Sequence, residues 1–136
     1  MFVEIVSPSG KIFSGEATGV RAPGIEGSFE VLRNHAPMIA GITIGSLVVT
    51  DKAGNPISFA TSGGFVEVSN NVVTILAETA ELGSQIDVER AKAAEERAVE
   101  ALAEATDPET KAKMVKALER ARNRARVSLG QVGRKR

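Results

Sequence analysis

The spacing of apolar residues changes near Gly83, and this change restricts the chain to a fold in two parts. Before it, short runs rich in β-branched and aromatic residues alternate with polar residues, a period of two that indicates half-buried strands. After it, apolar residues recur every third or fourth position, as in an amphipathic helix. We therefore predict a β domain over residues 1–83 and a helical segment over residues 84–136.

Seven runs in the first part predict β-strands. They are Phe2–Val6, Ala17–Arg21, Phe29–Leu32, Leu47–Thr50, Ile57–Ala60, Phe65–Val68 and Val72–Leu76. Asp51–Pro56 and Ser69–Asn71 are predicted hairpin turns, because Asn and Gly tolerate the positive φ of tight turns. Short strands at this spacing are typical of a sandwich or a flattened barrel.

The second part predicts two antiparallel helices. The first starts at a cap formed by Ser84 or Asp87 and ends at Thr106–Pro108, and the second runs from about Pro108 to about Leu129. Their apolar stripes are Ala91, Ala94, Ala98, Ala101, Leu102 and Ala105, and then Met114, Leu118, Ala121, Ala125 and Leu129. Because buried methyl groups contribute little and the helices consist of strong helix formers, the hairpin is expected to dock weakly and to be able to open. A permanently closed hairpin fits the same pattern.

Composition argues against an enzyme. The 136 residues contain no cysteine and a single histidine, which excludes thiolate nucleophiles, disulfides and cysteine-bound metals, and we expect no metal site. Phosphate-binding loops and other catalytic signatures are absent from the sequence. His35 lies in the turn-like Asn34–Pro37, where it has either a structural or interface role or an acid–base role. Since no run approaches about 20 apolar residues, we expect no membrane insertion.

The charges are divided along the chain although the net charge is zero. Residues 1–108 carry 7 basic and 15 acidic side chains, and residues 109–136 carry 10 and 2. The second helix holds a basic stripe of Lys113, Lys116, Arg120, Arg122, Arg124 and Arg126, and residues 134–136 are also basic. The expected partner of this basic stripe is a nucleic acid, an acidic protein surface or the acidic first helix. Alternatively, the stripe has no partner and faces only water. No aromatic residue follows Phe65, so a stacking platform for single strands is missing.

Residues at the start of the first helix suggest nucleotide binding. Asp87, Arg90 and Arg97 share one helical face, and Arg120 and Arg124 share a face of the second helix. In a closed hairpin these guanidinium groups would converge on phosphate oxygens, and a carboxylate would accept from an adenine amino group or a ribose hydroxyl. The alternative is structural: Asp87 caps the helix, and the arginines pair with Glu95, Glu96 and Glu100.

Five segments of the chain resemble the epsilon subunit of the F-type ATP synthase of bacteria and chloroplasts. They are Glu4–Pro8 with Phe13–Gly15, Glu26–Pro37, Ser62–Val68 and Asn71–Glu78, in matching order and spacing. The resemblance implies a ten-stranded β-sandwich followed by an antiparallel α-helical hairpin. It also implies a non-catalytic rotor subunit on the cytoplasmic face of the bacterial plasma membrane, with a thylakoid membrane the less favoured place.

The resemblance further assigns partners and residues. The β domain is expected to bind the gamma subunit and the c ring near Glu26 and His35, coupling proton flow to ATP synthesis. The basic second helix is expected to extend along gamma, meet the alpha and beta subunits and inhibit ATP hydrolysis. No cofactor is required, but ATP is expected as a regulatory ligand at Glu81, Ile86, Asp87, Arg90, Ala91, Arg97, Arg120 and Arg124. The alternatives are a structural subunit whose hairpin stays closed and a stand-alone nucleotide sensor or nucleic-acid-binding protein.

Overall fold

The computed structural model describes residues 1–130, so the basic residues 134–136 lie outside the described part. The elements are nine strands and two helices, with a single 3₁₀ turn at Gly83–Gln85. The strands are β1 (Phe2–Ser7), β2 (Gly10–Gly24), β3 (Gly27–Leu32), β4 (Met38–Ile42), β5 (Gly45–Asp51), β6 (Pro56–Thr61), β7 (Gly64–Ser69), β8 (Val72–Ala77) and β9 (Ala80–Leu82). The helices are α1 (Val88–Glu104) and α2 (Pro108–Ser128).

The strands form a β-sandwich around one apolar core. Their order is β1-β8-β7-β4-β2-β5-β6-β9, with β3 also paired to β2 and β1 closing back onto β2. Inward-facing side chains alternate along the strands, and Ile5, Leu47, Phe59 and Ile75 are at most 1% exposed. The two-residue period of the sequence therefore identifies the core, as predicted.

The count of ten strands implied by the resemblance is wrong for this chain, which has nine within residues 1–130. The long strand β2 pairs with β1 through its first half and with β3 and β5 through its second half. A register shift between Ala17 and Gly19 occurs where the partners change. A bulge bends a strand without ending it, so one continuous strand serves both layers.

The seven predicted strands all lie within observed strands, but β4 and β9 were not predicted. In β4 the sequence Met38–Ile42 contains Gly41 and little polar alternation, and β9 has only three residues. Such segments become strands because neighbouring strands pair with them, and a local pattern does not record that pairing.

Both predicted hairpin turns are confirmed. The Asp51 carboxylate accepts from the backbone N–H groups of Asn55 (2.8 Å) and Ala53 (2.9 Å). These hydrogen bonds, the one from the Asn55 backbone foremost, hold the pKa of Asp51 below its usual value. Asn70 and Asn71 adopt φ of 52° and 65°, the left-handed conformation that asparagine tolerates.

The two helices begin as predicted and lie antiparallel. Asp87, rather than Ser84, caps α1, and Asp107 caps α2 ahead of Pro108. The predicted alanine seam is present, with Ala91, Ala98 and Ala121 buried. Leu129 was wrongly placed on the buried stripe. It follows the last helical residue and its side chain is 51% exposed.

A second face of α2, which was not predicted, packs on the sandwich. Asn123 and Val127 are buried there, and the Asn123 Nδ2 donates to the Gly45 carbonyl at 2.8 Å. Val127 belongs to a small cluster that joins both helices to β6, made of Ala60, Ile86, Ala91, Ala125 and Val127. The hairpin is thus closed and docked in this structure. None of the helices within residues 1–130 is long and apolar enough to cross a membrane.

Candidate functional site

A pocket of about 480 Å³ lies where the hairpin meets the sandwich. The β1–β2 turn and the end of β8 through β9 form one side, and both helices form the other. It is lined by Ser7, Ser9, Glu78, Thr79, Ala80, Glu81, Ala94, Ala117, Arg120, Ala121 and Arg124. The small alanine side chains of the seam leave this space open between the longer charged ones.

Glu81 and Arg124 form an ion pair at this pocket. The Arg124 Nε donates to the Glu81 Oε1 at 2.6 Å, and its Nη2 donates to Oε2 at 3.2 Å. Two parallel bonds between a guanidinium and a carboxylate fix both groups more firmly than one bond would. Since Glu81 lies on β9 and Arg124 on α2, the pair also links the hairpin to the sandwich.

Arg120 lies one helical turn before Arg124 and lines the same pocket. Its side chain is exposed, and it makes no salt bridge to a carboxylate within residues 1–130. The structure therefore brings together three of the eight predicted nucleotide-binding positions, Glu81, Arg120 and Arg124. The resulting site offers two guanidinium groups on adjacent turns, one of them already paired.

The other five predicted positions do not line this pocket. Ile86 and Ala91 are buried in the small cluster between the helices and β6. Asp87 accepts from the N–H groups of Glu89 and Arg90 at the start of α1, and its carboxylate lies 3.8 Å from the Arg90 guanidinium. Arg97 is exposed on α1. The capping role that the sequence left open for Asp87 is therefore present in the closed hairpin.

The basic stripe of α2 is largely exposed. Lys113, Lys116, Arg120, Arg122 and Arg126 are exposed, and Arg124 is half-buried. None of the four arginines expected to pair with Glu95, Glu96 or Glu100 does so within residues 1–130. Instead, the Nε of Arg122 donates to the Glu95 Oε2 at 3.0 Å. An exposed ion pair of this kind contributes about 0.2–1 kcal/mol, so it reinforces the closed hairpin only modestly.

A second surface lies on the outside of the sandwich, and we call it the outer apolar face: Ile25, Ile39, Phe65 and Leu76. Their side chains are 69%, 74%, 58% and 52% exposed. Phe65 pairs with Leu76 across β7 and β8, and Gly41 pairs with Phe65 across β4 and β7. A side chain at Gly41 would collide with Ile25, so these residues are contiguous. Apolar patches of this kind mark protein contact sites.

The two interface residues predicted from the sequence lie on loops of the same domain. Glu26 is in the β2–β3 turn beside Ile25 and lines a groove of about 590 Å³ with Ile39. His35 is half-buried in the β3–β4 loop, with its Nδ1 2.8 Å from the Ala36 carbonyl oxygen. Sequence reasoning missed the outer apolar face. Its signal was present, since Phe65 alternates with the inward-facing Val66 and Val68 and so had to point outward.

Comparisons with known proteins agree with this architecture. Residues 1–83 match the family described as ATP synthase, delta/epsilon chain, beta-sandwich domain, and residues 84–128 match its long alpha-helix domain. The ATP synthase epsilon chain of Salinibacter ruber is 53% identical over 139 aligned residues, covering 96% of this chain and 93% of that protein. The epsilon chain of Syntrophomonas wolfei is 44% identical, covering 93% and 92%.

Two solved structures share the fold. A chain in the Euglena gracilis mitochondrial ATP synthase complex of OSCP, F1 and c-ring superposes with a TM-score of 0.79 at 24% identity, covering 89% of this chain and 76% of that one. A chain in the Tetrahymena thermophila central stalk and c-ring structure gives a TM-score of 0.68 at 16% identity, covering 94% and 96%. These two likenesses concern the fold. The family matches over both parts and the similarity to the epsilon chains show that the chain belongs to the ATP synthase delta/epsilon family, as a non-catalytic epsilon subunit.

Proposed function

We propose that this epsilon subunit couples rotation to ATP synthesis through its sandwich and restrains ATP hydrolysis through its hairpin, with ATP as the regulatory ligand. The observation that carries the proposal is the pocket at the junction of sandwich and hairpin, in which Arg120 and Arg124 lie on adjacent turns of α2. A ligand held there contacts the sandwich and both helices at once. Its binding therefore favours the closed hairpin over the open one.

The sandwich is the part that we assign to the rotor. The outer apolar face and the neighbouring Glu26 supply a contact surface for the gamma subunit and the c ring, with His35 on the adjoining loop. Burial of such a face in an assembly is favourable, at about 25 cal/mol per Å² of apolar area removed from water. In this arrangement the subunit is peripheral, on the cytoplasmic face of the bacterial plasma membrane.

The hairpin is the part that we assign to regulation. Within residues 1–130, its main contacts with the sandwich are the five-residue cluster, the Asn123 hydrogen bond and the Glu81–Arg124 pair. Each buried methyl-sized group contributes only about 0.8 kcal/mol, so the closed state is held by a small free energy. Once released, the exposed cations of α2 are available to acidic surfaces of the alpha and beta subunits, where the arm brakes hydrolysis.

The size of the pocket and its two arginines support ATP as the ligand of the closed state. The pocket volume lies within the range of about 300–1,000 Å³ that is usual for small-molecule sites. Guanidinium groups bind phosphate oxygens in bidentate geometry. At a hundredfold excess over its dissociation constant, a ligand that binds only the closed state stabilises it by about 2.7 kcal/mol, which is large against so small a docking interface.

Calorimetric titration with ATP tests the site. Arg124→Ala should weaken ATP binding because it removes a guanidinium from the pocket, and Arg126→Ala, an exposed cation two residues away and outside the pocket lining, should not. Asp87→Ala distinguishes a role of Asp87 as the helix cap from a role as a ligand of ATP. If this variant binds ATP more weakly while its helix content is unchanged, Asp87 contacts the ligand. Equal affinities of wild type and Arg124→Ala for ATP would contradict the proposed site.

A further inference from the structure

We propose that Ser46 destabilises the closed hairpin, because docking of α2 buries its hydroxyl group without a hydrogen-bond partner. This proposal rests on the proposed function, since it concerns how the balance between the closed and the open hairpin is set. Most contacts of a docking interface favour the docked state. The Ser46 hydroxyl instead favours release, because only the open state returns it to water.

The Ser46 hydroxyl is an exception among the buried polar groups. Among the residues of the range 1–130 that are not exposed, its Oγ is the only buried side-chain oxygen or nitrogen without a hydrogen-bond partner. The buried polar residues Ser7, Thr61 and Asn123 all form hydrogen bonds through their side chains. Because buried polar groups in folded proteins are nearly always paired, an unpaired one requires an explanation.

Ser46 lies on the part of β5 that α2 covers. It pairs with Ala60 of β6, so the two side chains lie on the same face of the sheet. Ala60 is buried in the cluster that includes Val127 of α2, and every side chain of that cluster is a hydrocarbon. Asn123 of α2 donates to the carbonyl of Gly45, the residue that precedes Ser46. The docked helix therefore buries the hydroxyl beside groups that cannot bond to it.

The state of the hairpin decides whether this hydroxyl is paired. In the open state the outer face of β5 and β6 is in contact with water, which supplies hydrogen bonds. On closure the hydroxyl loses that water and gains no partner, and such a loss costs free energy. Ser46 thus opposes the apolar cluster and the Asn123 hydrogen bond, which favour closure. It keeps the two states close enough in free energy for a ligand to shift the balance between them.

Thr50 offers a matched control on the same strand. The regular pairing of β5 with β6 places Thr50 and Ser46 on the same face of the sheet. Thr50, however, lines a groove formed by β2, β3, β5 and β6. Thr50→Val therefore removes a hydroxyl from β5 at nearly constant volume, away from the contact with α2.

The test is hydrogen exchange of backbone amides in the full chain without nucleotide, for wild type, Ser46→Ala and Thr50→Val. A helix that has lost its tertiary packing is only marginally stable, so exchange of α2 amides reports undocking. Ser46→Ala should slow this exchange roughly fivefold, the low end of what an unsatisfied buried polar group costs. Thr50→Val should leave it as in wild type. Amides of β7, which pairs with β4 and β8, are the internal reference.

Unchanged or faster α2 exchange in Ser46→Ala would overturn the proposal, because the hydroxyl would then not favour release. Equal slowing in Thr50→Val, or equal slowing of β7 amides, would also overturn it, because the effect would not be specific to docking. A titration with ATP separates this proposal from the proposed function. If Ser46→Ala slows α2 exchange but ATP does not, ATP regulation fails and the role of Ser46 stands. If ATP slows it but Ser46→Ala does not, only the role of Ser46 fails.

Discussion

Asp87 and Asp107 each accept backbone hydrogen bonds at the start of a helix, and Asp51 does so in a hairpin turn. These features were predictable because they involve residues close in sequence, where a short carboxylate meets the free N–H groups of the next residues. At the residue scale, therefore, turns and helix starts follow from local chemistry. The predicted burial of Leu129 was wrong because it depends on where the helix ends, which the helical spacing of apolar residues does not show.

Some glycines that lie in strands adopt positive φ, and among these Gly64 should tolerate substitution least. It has φ of 144°, and an added Cβ would collide with the backbone carbonyl of Leu76 on the paired strand. Gly64→Ala should therefore cost more than the roughly 1–3 kcal/mol of the backbone conformation alone, measured by urea unfolding.

Gly10→Ala is the control for Gly64. Gly10 has φ of 129°, but no atom lies within 4 Å of an added Cβ, so its cost is limited to backbone strain. Equal destabilisation by the two substitutions would show that the contact with β8 does not constrain Gly64.

Asp107 should make stability depend on pH at the acid end. Hydrogen bonds from the Thr110 side chain and backbone N–H hold its pKa below the usual value. A carboxyl group whose pKa is lower when folded stabilises the fold above its unfolded pKa of about 3.9, and this contribution disappears as the pH falls through the folded pKa.

Asp107→Asn provides the comparison, because asparagine also caps helices but does not titrate. Urea midpoints of wild type should fall relative to those of the variant between about pH 6 and about pH 2.5. Parallel midpoints over that range would contradict the capping contribution.

At the scale of elements, α2 serves two interfaces, and only one was predictable. Its alanine seam against α1 has helical spacing, whereas the contact of Asn123 with Gly45 joins residues 78 positions apart. A polar residue within a helix also gives no sign of being buried. In the same way, β4 and β9 were missed because their neighbours rather than their own residues make them strands.

Replacement of Asn123 by alanine should loosen the docked hairpin. The Gly45 carbonyl would lose its side-chain donor in a part-buried setting, a change that costs about 1 kcal/mol. Hydrogen exchange of α2 amides should be faster in this variant than in wild type. Lys116→Ala, on the exposed side of α2, is the control, and identical exchange in both variants would show that Asn123 does not hold α2 to the sandwich.

For the whole molecule, the arrangement of the residues predicted to bind a nucleotide could be foreseen only in part. The resemblance identified Glu81, Arg120 and Arg124, which do meet at one pocket, but Arg90 and Arg97 remain outside it in the closed hairpin. Sequence spacing defines which side chains share a helical face, yet not which strand that face meets. The outer apolar face likewise required the register of β4, β7 and β8 to become a continuous surface.

Phe65 tests whether the outer apolar face is an interface. Because its side chain is 58% exposed, Phe65→Ser should leave the urea midpoint nearly unchanged. Loss of an aromatic anchor should weaken binding to the gamma subunit by about tenfold, measured by titration with purified gamma. Glu67→Gln, an exposed polar change on the same strand, is the control, and unchanged gamma affinity in Phe65→Ser would exclude this face.

The most direct test of a nucleotide-controlled hairpin is the distance between the hairpin and the sandwich in the assembled ATP synthase. The chain has no cysteine, so cysteines introduced at Ser69 and Lys116 can be spin-labelled on the isolated subunit without competing sites, before it is assembled. Saturating ATP should give one narrow, short distance, and removal of ATP should add a population at longer distance. The same single distance in both conditions would contradict the account.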